Sequence, residues 1–314
     1  MPEILTVGEI LVEIMRENVG VGLDKADIFK GPFASGAPAI FIDAVANLGH
    51  ESAIVGGVGN DDFGKVCTKR LENDGVNITG IKISELTTGV AFVAYFEDGS
   101  RKFIYHIRDS AATNLGKLCD KVLDEVKIFH IMGCSLMIRE DLTVTIIEYA
   151  RKVKNSGGKI SFDPNIRVEL MDKDYIRESV NKVAELSDII LPGLEELYLI
   201  AGVDSKNKAI DKMLSSSEVI VIKQGSEGCE IYSKDMEIPI KVPSFKIDEV
   251  DPTGAGDSFD AGFLCAYVEN KSLADCGILA NACGALNTTK LGPMEGVFDR
   301  KIVDDFIFKN KIHT

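Results

Sequence analysis

Apolar residues in this chain follow two rhythms that alternate along most of its length. The first run, with Ile4, Leu5, Val7, Ile10, Leu11, Val12 and Ile14, is nearly continuous, as in a buried strand, and Gly8 marks a bend or a close backbone approach. Ile40, Phe41, Ala44, Val45 and Leu48 recur at helical spacing between Pro38 and Gly49, which frame a helix start and a helix end. A strand over 53–58 and a helix through Leu71 follow. From 89 to 107 the texture changes, and two alternating segments at 90–95 and 102–107, joined by Glu97, Asp98, Gly99 and Ser100, predict a hairpin. Strands at 128–133, 159–163 and 188–191 then alternate with helices at 141–154 and 175–186. A strand over 219–223 turns through glycines into another near 229–231, and helices from 255, at 272–288 and at 299–308 complete the chain. Strand and helix in alternation predict an α/β fold: a mostly parallel sheet with helices on both faces and sites at the carboxyl ends of its strands. The hairpin and the strand near Glu13 together make a small sheet over one side of a cleft. One domain over 1–314 is expected, since no repeat, low-complexity stretch or linker interrupts the pattern.

Composition narrows the function. With 314 residues, 45% of them hydrophobic, the chain can bury a full core. A net charge of -14 argues against sustained contact with nucleic acid or an anionic membrane, so an anionic cofactor must be met by local groups. The seven cysteines contain no Cys-x-x-Cys pair and read as small core residues of a reducing compartment, and the four histidines lack metal-ligand spacing. No signal peptide or membrane-length apolar run is evident, which makes the cytoplasm the expected location.

The chemistry concentrates at 251–263. Gly254 and Gly256 free the backbone for a sharp turn, and Phe259, Phe263, Leu264 and Tyr267 mark a helix opening near Ala255. Unpaired amides and the positive end of the helix dipole suit an anionic group there. Asp257, in the first turn, is either a charge favoured by the dipole or a general base that takes a proton from an alcohol attacking a phosphoryl group. Pro252 and the two glycines favour the base, because a cap needs none of them. A decoy lies at 59–65, which fits Gly-x-x-x-x-Gly-Lys. Val66 lacks the hydroxyl of a P-loop, and Asp61 and Asp62 would repel phosphate. A Rossmann dinucleotide site is excluded too, since Gly254-Ala255-Gly256 lacks the third glycine and lies far from the first strand.

The string Asp-x-x-Gly-Ala-Gly-Asp-x-Phe over 251–259 resembles the C-terminal signature of the ribokinase-like (PfkB) family of carbohydrate kinases. The likeness extends from Gly8 to about Gly292 and implies a ribokinase-like fold with a β-sheet lid, here drawn from about 10–34 and 88–109. It implies ATP- and Mg2+-dependent phosphorylation of a hydroxymethyl group, with Asp257 as base, the amides of Gly254, Ala255 and Gly256 stabilising charge, and Arg167 sharing the rest. Asp163-Pro164-Asn165-Ile166-Arg167 is similar to a family segment, although an ion pair between Asp163 and Arg167 is an alternative use of that arginine. Glu196 stands where the family arranges water around Mg2+, while Gly193 replaces an expected Asn. Asn165, Lys223, Gly225, Gly228, Gly254, Gly256 and Asn281 are the nucleotide candidates, and Asp251 and Thr253 are candidates for a monovalent cation such as K+. On the substrate side stand Glu13, which is otherwise an exposed strand residue, Gly36, Arg108, Arg167 and Asp257. Ser35 and Ile40 replace a Gly and an Asn of the family pattern. The run over 35–43 looks like a subgroup of ketohexose kinases, which implies tagatose or fructose. A sugar acid, 2-keto-3-deoxygluconate, is the alternative, since Arg108 and Arg167 could hold its carboxylate. A catalytically silent sugar-binding regulator on the same fold is the alternative from another class. A homodimer through the lid would cover its outer face.

Overall fold

A computed structural model of the chain describes residues 1–167, 174–296 and 299–311. The first apolar run serves two sheets. Strand β1 (Ile4–Val7) lies in the large sheet, the chain leaves it at Gly8, and β2 (Leu11–Arg16) enters a small one. Gly8 is the close approach expected from the sequence: a Cβ there would lie 2.4 Å from Ser135 Oγ. In order follow β3 (Phe29–Ser35), α1 (Ala37–Asn47), β4 (Ser52–Gly59), α2 (Asp62–Asn73), β5 (Asn77–Ser84), β6 (Gly89–Tyr95) and β7 (Arg101–His106). Next come α3 (Asp120–Leu123), β8 (Ile128–Met132), α4 (Gly133–Leu136), α5 (Glu140–Asn155), β9 (Lys159–Asp163), α6 (Asp174–Leu186), β10 (Ile189–Ile190), α7 (Leu194–Ala201) and α8 (Lys206–Leu214). The chain ends with β11 (Val219–Lys223), β12 (Cys229–Ser233), β13 (Ile240–Val242), α9 (Ala255–Val268), α10 (Leu273–Asn287) and α11 (Arg300–Lys311).

Nine strands form the large sheet in the order β13-β12-β11-β10-β9-β8-β1-β4-β5, parallel from β5 through β11 and antiparallel at β12 and β13. Both of its faces are covered. In β11, Val219 and Val221 join the apolar core under α1, α9 and α10, while Ile220 and Ile222 join the core under α5 to α8. A strand buried on both sides has to be apolar at every position, which is why these segments read as unbroken runs. Helix α1 departs from the amphipathic expectation, since everything from Ala37 to Val45 is buried where the helix is wedged between the sheet and α9.

The small sheet runs β3-β2-β6-β7. Strand β3 falls within the 10–34 stretch expected to contribute to the lid, although the sequence did not delimit it, and it contains Pro32. It lies at the sheet edge, where a missing amide is tolerated. Alternate residues Leu11 and Glu13 of β2, Ala91 of β6 and Phe103 and Tyr105 of β7 face the carboxyl ends of the large sheet across a cavity. Six of the seven cysteines are buried as expected. Cys119 is the correction: it precedes α3 at the surface and is exposed. Among the described residues no helix is long and apolar enough to cross a membrane.

Candidate active site

The cavity, of about 230 Å3, lies between the two sheets and is floored by the turn into α9. That turn is set by Gly254, whose φ of +81° falls in the left-handed region and whose missing Cβ would otherwise lie 2.4 Å from Pro293 O. The first bond of the helix ladder runs from Ser258 N to Gly254 O at 2.9 Å, which leaves the amides of Gly256 and Asp257 ahead of it. The expected trio of amides needs one correction. Ala255 N donates to Pro252 O at 3.3 Å within the turn, and Ala255 lines no part of the cavity, whereas Gly254 and Gly256 do. Beside Gly256 the space is open, since a Cβ there would meet only Lys223 Nζ, at 3.8 Å.

Asp257 is buried in this floor, and its Oδ1 accepts a hydrogen bond from Asn165 Nδ2 at 3.1 Å. Burial pushes its carboxyl up to about 7, against the pull of Arg167. The approach of Asn165 depends on the end of β9. Asp163 Oδ1 accepts from Asn165 N at 3.1 Å, which folds the strand end into a tight turn, and Asn165 holds φ at +39°. The expected alternative of an ion pair between Asp163 and Arg167 is replaced by another pair: Lys223 Nζ lies 2.7 Å from Asp163 Oδ2. Burial would raise the Asp163 carboxyl, but Lys223 outweighs it and holds it below the usual range. Arg167 lines the same cavity, half-buried.

Glu196 is also at the cavity, at the start of α7. Its two oxygens accept the amides of Ile166 and Gly193, each at 2.8 Å, so Gly193 contributes a backbone donor where a side chain was expected. Burial, reinforced by Asp163, raises its carboxyl. Among the described residues no group of three His, Cys, Asp or Glu is spaced to enclose a metal.

On the opposite wall Glu13 is buried, not the exposed strand residue of the alternative reading. Its Oε2 has no hydrogen-bond partner among the described residues, and burial together with the Asp251 charge lifts it to about 7. Gly36 lines the cavity at the start of α1. Glu9, which sequence reasoning passed over, lines it as well. This acid accepts from Ser135 Oγ and, at 3.1 Å, from Cys134 Sγ, and burial raises its carboxyl. A second omission is Arg101. Arg101, Phe103, Tyr105 and Ile107 line the cavity, with Arg101 at the start of β7, and Arg108 is not among the lining residues.

Of the other candidates, Lys223 and Thr253 line the cavity, whereas Gly225, Gly228, Asn281 and Asp251 do not. Gly225 and Gly228 shape the turn between β11 and β12, and Asn281 Nδ2 donates to Val242 O and Pro243 O at 3.2 and 3.3 Å, tying α10 to the end of β13. Asp251 accepts from Thr253 N (3.0 Å), Gly292 N (2.9 Å) and Tyr95 Oη (3.1 Å), so the last of these bonds links the small sheet to the α9 turn.

The site thus joins a buried carboxyl and helix-start amides to acids and arginines, and comparison with known proteins decides its lineage. The model of the pfkB family of carbohydrate kinases matches residues 1–299. The chain belongs to that family. Among its pfkB relatives, "Probable fructokinase-6, chloroplastic" of Arabidopsis thaliana is 32% identical over 98% of this chain and 83% of its own length. The structure of a "putative Ribokinase II" of E. coli in complex with ATP and Mg2+ is 38% identical, with a TM-score of 0.92 over 98% of this chain and 100% of that one. Fructokinase of Xylella fastidiosa with bound ATP is 25% identical, with a TM-score of 0.85 over 99% and 100% of the two chains. The large parallel sheet and small separate sheet are thus the ribokinase-like fold.

Proposed function

We propose that this pfkB-family protein transfers the γ-phosphoryl group of ATP to a hydroxymethyl oxygen of a ketohexose, with fructose ahead of tagatose because the fructokinases of Arabidopsis and Xylella are among its relatives. The observation that carries it is Asp257, a buried carboxyl at about 7 in the first turn of α9, beside the amides of the turn. Ionised Asp257 accepts the hydroxyl proton as the oxygen attacks the γ-phosphorus, and the bridging electrons leave with ADP. The amides of Gly254 and Gly256 and the Arg167 guanidinium stabilise charge on the moving group. Lys223, whose ammonium reaches the Gly256 wall, extends the positive lining toward the phosphates. Asn165 orients the base, and the small sheet acts as a lid that excludes water.

The residues present fit Mg2+ carried in with the nucleotide. Glu196, with both oxygens already bonded to amides, would hold it through water, and no protein cage is required. When bound, the ion neutralises phosphate charge. A monovalent cation such as K+ beside Asp251 and Thr253 belongs to the same proposal, because the Asp251 carboxylate is met by the neutral donors Tyr95 Oη, Thr253 N and Gly292 N, which leave its charge for a cation. The outer face of the lid, with Ile104 and Phe29 exposed, supports a homodimer.

A sugar acid keeps some support, since Arg101 and Arg167 both line the cavity, but Glu9 and Glu13 would oppose a substrate carboxylate. A panel of fructose, tagatose, 2-keto-3-deoxygluconate and adenosine, with coupled ADP detection, tests the assignment. Turnover on a ketohexose is expected, preference for the acid would move the substrate class, and no turnover on any sugar would leave only a binding role.

A further inference from the structure

Under the cavity floor lies a buried acid, Asp260, that the proposed transfer does not use. Asp260 follows Asp257 by three residues in α9, so both carboxylates occupy one face of the helix, a turn apart. Asp257 lines the cavity, whereas Asp260 is 0% exposed and lies behind it. Lys223 Nζ is 3.3 Å from each Asp260 oxygen and 2.7 Å from Asp163 Oδ2. Asp163 in turn accepts from Asn165 N at 3.1 Å and from its Nδ2 at 3.3 Å, and the same Nδ2 lies 3.1 Å from Asp257 Oδ1. The contacts Asp260, Lys223, Asp163, Asn165 and Asp257 therefore close into a ring whose two ends belong to one helical turn.

Two facts argue that the ring does more than fill space. Replacing buried ion pairs with apolar residues is often neutral or stabilising, so packing alone gives no reason to keep one here. Asn165 moreover holds a left-handed backbone, a conformation that persists where surrounding bonds over-determine it. His130, whose Nε2 is 3.8 Å from Asp260 Oδ2, supplies no charge, since burial lowers it to about 3. Lys223 is the ring's cation: Asp163, Asp260 and Glu196 keep it charged in spite of burial.

We propose that Asp260 is a positioning residue for phosphoryl transfer: by holding Lys223 against Asp163 it fixes the Asn165 amide that aims the Asp257 carboxylate at the acceptor hydroxyl. This presupposes the kinase activity proposed above, so wild-type protein with ATP and fructose or tagatose is measured alongside. Absence of wild-type turnover fails that activity, whereas the variants below fail only the role of Asp260.

Asp260→Leu removes the polar partner at similar size. It is expected to lower kcat about 10- to 100-fold while the KM values for ATP and sugar stay within about threefold, because misplacing a catalytic group costs rate more than binding. In an Asn165→Ala background, where the link to the base is already cut, the same substitution should change kcat by less than about twofold. Asp260→Asn, which keeps an acceptor for Lys223, should recover most of the rate, and it substitutes in the cycle if the leucine variant lacks a cooperative thermal transition. An Asp260→Leu kcat within twofold of wild type per folded molecule would overturn the proposal. An equal loss in the presence and absence of Asn165 would do the same, since the effect would then not travel through that amide.

Discussion

Asp257 illustrates how one carboxyl is made useful by where it is put. An Asp in water is fully ionised at neutral pH and a weak base; burial lifts this one to about 7, near the optimum for moving protons at physiological pH. Turnover per KM should therefore rise with pH through about 7 and level off above it, as a pH–rate profile on fructose would show, because only the ionised form accepts a proton. The same shift has a cost in stability. Between the unfolded value near 4 and the folded value near 7 the folded state binds the extra proton, so stability falls as pH rises through that window. Asp257→Asn removes the penalty. It should cut kcat by at least about a thousandfold yet raise stability, and with it Tm, at pH 8, by on the order of 4 kcal/mol at most, and the gain should shrink as pH is lowered toward 4. A Tm unchanged at pH 8 would mean that the carboxyl is not strained in the folded state.

At the scale of elements, the site depends on how α9 starts and on what the small sheet touches. Gly254→Ala would put a methyl 2.4 Å from Pro293 O at a φ of +81°. Strain of this kind costs about 2–4 kcal/mol, and the amides that follow would shift with it. Thermal unfolding should report that loss and single-turnover kinetics a fall in rate of about 100-fold. Tyr95, at the end of β6, donates to Asp251 Oδ1 at 3.1 Å and lies 3.2 Å from Thr253 Oγ1, so it ties the small sheet to the loop feeding α9. Tyr95→Phe keeps the ring and loses the tie. The sugar KM should rise several-fold with kcat within about threefold of wild type, and ATP hydrolysis without sugar should increase relative to sugar phosphorylation as the lid loosens. If both ratios hold steady, Tyr95 does not govern closure.

At the scale of the whole molecule, the exposed aromatic and aliphatic residues of the small sheet predict a dimer: sedimentation should give the mass of two chains, and Ile104→Lys, on the outer face, should shift it to one. The order of strands and helices was readable from the chain because it is written in spacing. Period-two and period-3.6 patterns, and glycines at sharp turns, are local properties that neighbouring residues determine together, and the 251–263 motif belongs to this class. Strand β3 lies in a stretch assigned to the small sheet, but its bounds were not readable, because an edge position is what lets a strand carry Pro32. Arg101 escaped because the choice between it and Arg108 is a matter of which parity faces the cavity, and parity is set by pairing with β6. The tertiary structure alone decided the electrostatics. Lys223 and Asp260 are 37 residues apart and Asn165 and Asp257 are 92 apart, and nothing local distinguishes a solvated Asp from one buried against a lysine. The sequence by itself determined the alternation of strands and helices and the place of Asp257 at a glycine-lined helix start, since both follow from short-range geometry. Which charges meet, which acids are lifted toward neutrality and which wall of the cavity each residue faces depended on the folded chain, because burial and Coulomb interaction are properties of positions in space.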